Sequence, residues 1–190
     1  MPQSSTMSSK WMLLLTPLLA AGLSVVASTA VAAQTPLLFH VGGGAIMPSG
    51  DFGTYANPGW SGFAGVSKPL ASRPELSLQA TAFYGHAAHD GDAGDATNIP
   101  GVGVGISCQL GDAKMSARPY VGALLGFLQH RYSAGSPGYP SESETKLFVG
   151  PGGGVSFGRM FVDVRYMASD GTSFIPISLG FRLGAAPPTK

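Results

Sequence analysis

Between positions 173 and 183 side-chain polarity alternates with a period of two. Ile175, Ile177, Leu179, Phe181 and Leu183 take one side, while Pro176, Ser178, Gly180 and Arg182 take the other. A helix would scatter that set around its axis, whereas an extended strand gathers it on a single face. Similar alternation recurs over 37–47, 59–70, 75–86, 99–110, 118–131, 145–157 and 160–168, which makes eight segments in all. Each is close to the roughly 9–11 residues that a tilted strand needs to cross a bilayer. No stretch after Ala33 has the periodicity of an amphipathic helix of useful length.

The chain before these segments reads as an export signal. Lys10 precedes an apolar run from Trp11 to Val26, and small residues then lead to Ala30-Val31-Ala32-Ala33. That order of charge, apolar run and small-residue site predicts a signal peptide over 1–33, cleaved after Ala33. Pro17, the small-residue run and the lack of flanking charge after Ala33 argue against a membrane-anchoring helix. The single cysteine, Cys108, allows no intrachain disulfide, and its apolar strand position reads as a small buried hydrophobe. A net charge of +1 with 11% charged residues shows no basic block for nucleic acid and no acidic tail.

The connections alternate in length. Those at 48–58, 87–98 and 132–144 are long and rich in Gly, Ser, Pro, Asn and acidic residues, whereas 71–74, 111–117 and 158–159 are shorter. Membrane barrels show this asymmetry, with long outer loops and short periplasmic turns. The second face of the segments is rich in glycine, at Gly42, Gly44, Gly101, Gly103, Gly105, Gly122, Gly126, Gly150, Gly152, Gly154 and Gly180. Glycine gains little on a wet sheet surface but relieves crowding and bending in a narrow barrel interior. The expected fold is therefore all-β: an eight-stranded antiparallel up-and-down transmembrane β-barrel over 34–183, with a short Pro-rich tail at 184–190. A soluble sandwich or lipocalin-like barrel binding an apolar ligand is the alternative.

On this register the larger residues of the second face, Glu75, Lys146, Asp163, Arg165 and Arg182, point into the lumen and form a structural charge network that plugs it. A one-residue slip of the last two strands would turn Asp163, Arg165 and Arg182 to lipid, at about 2–4 kcal/mol per Arg at the midplane. Phe39, Trp60, Tyr84, Phe127, Tyr166, Phe174 and Phe181 lie near segment ends, where girdle aromatics belong.

The stretch 37–183 resembles the small eight-stranded outer-membrane barrels of the OmpA/OmpX/OmpW-like and opacity-protein type. Its carriers are Val41-Gly42-Gly43-Gly44 followed by Pro48-Ser49-Gly50-Asp51-Phe52, then Gly59-Trp60, Ala64-Gly65 and the closing strand. The resemblance implies residence in the outer membrane and folding by the outer-membrane assembly machinery, which would read Ile175, Ile177, Leu179, Phe181 and Leu183. Such barrels usually end on an aromatic residue; here Leu183 is followed by the tail.

Three patterns invite sharper chemistry. His86, His89, Asp90, Asp92 and Asp95 supply metal-ligand residue types, but the closing Glu of a calcium loop is missing. The glycine clusters lack the Gly-Lys-Ser/Thr of a phosphate loop, and Gly-x-Ser-x-Gly does not occur. His130, Ser133 and Glu144 suggest a lipid A deacylase, except that Tyr132 occupies the position where those enzymes carry Ser. The expectation is a monomeric, non-enzymatic barrel without cofactor or metal. It would contact outer-membrane lipid and lipopolysaccharide and serve a structural or surface-interaction role, or limited passage of small solutes.

Overall fold

The computed structural model describes residues 36–89, 94–112, 114–134 and 142–184. The predicted signal peptide, Asp90, Asp92 and the tail after Gly184 lie outside the described residues. The strands are β1 (Leu38–Ser49), β2 (Gly59–Leu70), β3 (Arg73–Ala88), β4 (Ala96–Gln109), β5 (Ala117–Ser133), β6 (Glu142–Phe157), β7 (Met160–Arg165), β8 (Ala168–Ser169) and β9 (Ser173–Leu183). All pairings are antiparallel, and β1 pairs with both β2 and β9, so the sheet closes on itself and leaves no edge.

β7 and β8 are two pieces of one wall strand. Gly152↔Arg165 and Val149↔Ala168 continue a single register against β6. The break has a chemical cause. Tyr166 N–H donates to the Pro151 carbonyl at 2.9 Å, but proline has no N–H to return. Met167 keeps the wall intact by exchanging two backbone bonds with Phe174, at 2.8 and 3.1 Å. The nine strands therefore form the eight-stranded barrel that the alternation predicts.

Side-chain direction follows residue parity. Val41, Leu78, Val104, Leu125, Leu147, Val164 and Leu179 all face outward and stay exposed in the isolated chain. β3 to β6 run 14 to 17 residues, longer than the apolar band requires. Their extra length carries polar outward residues such as Asn98, Gln129, Arg131 and Ser143 at the end that holds the longer connections. Two expectations need correcting. Phe174 is not a girdle residue: it shares the inward parity of Pro176 and Ser178 and is 1% exposed. Cys108 is only half-buried, because its parity puts it on the outer face.

Inward glycines make room for inward aromatics. A Cβ on Gly101 would meet Phe83 Cε1 at 2.6 Å, and one on Gly180 would meet Phe161 Cε1 at 2.8 Å. The tip of each ring occupies the space over the neighbouring strand's glycine, a pairing that fills a narrow interior without spreading the walls.

Candidate functional site

The interior divides into two layers. Toward the longer connections, Ile46, Ile99, Leu128, Phe148, Met167 and Phe174 pack into an apolar core. Phe83 joins from below, its ring edge-on to Phe148 at 5.5 Å. Phe52 enters from the connection after β1: a 3-10 turn over Gly50–Thr54 carries it into the barrel mouth, where it is fully buried. The mouth above is aromatic. Phe52 meets Tyr55 and His130 edge-on at 5.6 and 6.0 Å, and His89 stacks on Tyr132 at 5.3 Å. His89 Nε2 lies 2.7 Å from Thr97 Oγ1, and the Tyr132 hydroxyl donates to Asp95 Oδ2 at 2.7 Å. Burial lowers the His89 pKa, and the Asp95 carboxylate opposes that shift.

Toward the short turns the interior holds a cavity of about 390 Å³, in which charged and polar groups face apolar walls. Asp163 is its focal carboxylate. Arg165 donates to it from Nε at 2.8 Å and from Nη2 at 3.1 Å, and the Tyr120 hydroxyl donates at 2.8 Å. Both partners of the ion pair are nearly enclosed, with side chains 10% and 12% exposed, so the charged hydrogen bonds act in a low dielectric. The Arg182 guanidinium lies over the Phe161 ring at 5.3 Å and the Tyr120 ring at 5.8 Å. His40 Nε2 reaches Thr81 Oγ1 at 3.2 Å, and Ser156 donates to the Arg118 carbonyl at 3.2 Å.

Of the five predicted network residues, Asp163, Arg165 and Arg182 meet in this cavity. Lys146 and Glu75 do not join them. Lys146 points inward at the opposite end, where it bonds the Asp170 carbonyl at 2.7 Å and pairs with Glu144 at 3.1 Å. Glu75 stands beside the short turn before β3 and does not line the cavity. A single network of all five is therefore replaced by two charge sites with the apolar core between them. Gln79 and Gln109 line the cavity from the second face of their strands. Sequence reasoning did not single out Tyr120 or His40, although the same parity rule places both on the inward face.

The enzymatic and metal patterns are split by parity too. His130 points inward, whereas Ser133 has the opposite parity on β5, so the two do not converge on one reacting atom. His86 lies against Trp60 on the outer surface and His89 against Tyr132 at the mouth. No group of three or more metal-ligand side chains converges among the described residues.

Among solved structures, Neisserial surface protein A is similar over 77% of this chain and 96% of its own, with a TM-score of 0.58 at 15% identity. The fold is that of a small outer-membrane β-barrel. The N-terminal barrel domain of Pseudomonas aeruginosa OprF superposes less well, with a TM-score of 0.47 at 16% identity over 77% of this chain and 97% of its own. Ail, the attachment invasion locus protein of Yersinia pestis, gives 0.48 at 13% over the same shares. The fold assignment rests on the first of these. No family model and no curated protein matches the sequence.

Proposed function

We propose that this chain is a non-enzymatic outer-membrane protein that spans the bilayer as a closed barrel and presents its longer connections at the cell surface. The observation that carries the reading is the outer face: an edge-free barrel wrapped by exposed apolar side chains, from Val41 on β1 to Leu179 on β9. Water would not sustain so continuous an apolar belt, whereas hydrocarbon matches it and the closed wall presents no open strand edge to lipid. The name of the Neisserial neighbour, a surface protein, agrees with exposure of one barrel end.

The apolar core around Phe148 and Phe174 supports a lumen closed to solutes, so the work falls to the surface connections and to the barrel's presence in the envelope. In this reading the strand Ser173–Leu183, whose apolar face meets lipid, is what the assembly machinery engages, and lipopolysaccharide is the lipid at the outer rim. Membrane fractionation with heat-modifiable migration is the direct test. The expected result is an outer-membrane protein whose folded form runs apart from the boiled one; recovery in the soluble periplasmic fraction would overturn the reading. In planar bilayers no large, long-lived conductance is expected, and stable channels would overturn the closed lumen.

A further inference from the structure

The cavity at the short-turn end carries a charge imbalance. Arg118, Arg165 and Arg182 line it, against Asp163 as the one lining carboxylate among the described residues. Asp163 is already engaged by two contacts from Arg165 and by the Tyr120 hydroxyl. Neither Arg182 nor Arg118 pairs with a carboxylate among the described residues. Two buried donors in the cavity wall, Arg118 Nε and Gln79 Nε2, have no partner within the protein. Water could satisfy the donors, yet it would leave the excess positive charge inside a barrel surrounded by hydrocarbon, where uncompensated charge is costly.

We propose that this cavity is a binding site, entered from the short-turn end, for a small organic oxyanion. Such a molecule carries a carboxylate or phosphate on a compact apolar body. Arg182 is held against the faces of Tyr120 and Phe161, and its N–H donors remain for a planar or tetrahedral oxyanion. Phe63, Phe161 and Phe83 supply apolar walls for the body of the ligand. The apolar core blocks approach from the far end, so Met115, Ser116 and Gly158 form the rim of entry. A cavity of about 390 Å³ suits a small molecule rather than a peptide or a lipid chain.

The test uses the full barrel refolded in nonionic maltoside micelles, with benzyl phosphate, benzoate and neutral benzyl alcohol as probes. Titration is followed by arginine Nε–Hε NMR signals and by calorimetry. Both anions are expected to bind at millimolar concentration or below, to shift the Arg182 signal and to weaken as salt rises. Arg182→Met and Arg118→Met should each weaken binding roughly tenfold or more. Arg131→Gln, at the opposite end, should leave it unchanged. Comparison of the anions with benzyl alcohol on the wild-type chain needs no variant, so a misfolding substitution does not obscure the answer. Equal binding of the neutral alcohol, or no Arg182 shift with either anion at millimolar concentration, would overturn the proposal.

Discussion

Phe148 is the side chain on which the apolar core turns, and Phe148→Ala is the perturbation that tests it. The ring is 1% exposed and meets Phe83 edge-on at 5.5 Å. Phe-to-Ala truncation in a packed interior costs about 3–5 kcal/mol, of which the aromatic contact accounts for ~0.5–1.5 kcal/mol. Gly103 gives the sharper diagnosis. A Cβ added there would meet Phe148 Cζ at 2.8 Å and the Leu125 carbonyl oxygen at 3.2 Å. Gly103→Ala alone should therefore cost about 1–3 kcal/mol through overpacking. Once Phe148 is truncated, the tighter of the two clashes is gone, and the added methyl enters the space the ring has left. The double variant should be more stable than the sum of the single effects predicts, by roughly 1 kcal/mol. The assay is reversible denaturant unfolding in micelles, read by tryptophan fluorescence and by the folded band on unheated gels. Additivity within about 0.5 kcal/mol would refute the reasoning, because the two residues would then not share one space.

Three further outcomes follow from the geometry. Val104→Arg, at an outward position 57% exposed and flanked by Ala80 and Leu125, should destabilise the barrel in lipid by about 2–4 kcal/mol; a loss under ~1 kcal/mol would mean that this face does not meet hydrocarbon. Tyr120→Phe should cost about 1.5–3 kcal/mol through the lost bond to Asp163, and Asp163→Asn should cost more because it strands Arg165; denaturant midpoints of the two variants rank them, and a neutral Asp163→Asn would contradict the pairing. His89 has a folded pKa below the unfolded value of about 6.5, so on acidification the unfolded chain takes up its proton first, and the mouth loses stability as pH falls below about 6.5 and is unaffected above it. Hydrogen exchange of the His89 amide, bonded to the Asp95 carbonyl at 2.9 Å, should quicken relative to barrel amides between about pH 7.5 and about pH 5.5, and His89→Gln should flatten that dependence.

The strand count, the inward and outward faces and the closing role of Ser173–Leu183 were legible in the chain itself. Side chains along a strand alternate strictly, so once one face is known to be apolar, every residue of that strand is assigned. This is why Arg182, Asp163 and Arg165 all line the cavity, and why His130 and Ser133, three residues apart, could not share a face. Parity places Tyr120 and His40 inside as firmly as it places Gln79 and the charges. It argues equally against Phe174 in the outer girdle.

Height along the barrel was a different matter. Parity names a face but not a level, and the level depends on strand tilt and on the register of each pairing around the closed wall. Only the tertiary structure set Lys146 and Glu75 at opposite ends, brought Tyr120 across to Asp163 from a distant part of the chain, and folded Phe52 back from a surface connection into the mouth. The sequence alone determined a barrel with charges inside it. The closed fold decided that an apolar core separates those charges, and that the arginines outnumber the carboxylate where the cavity opens toward the short turns.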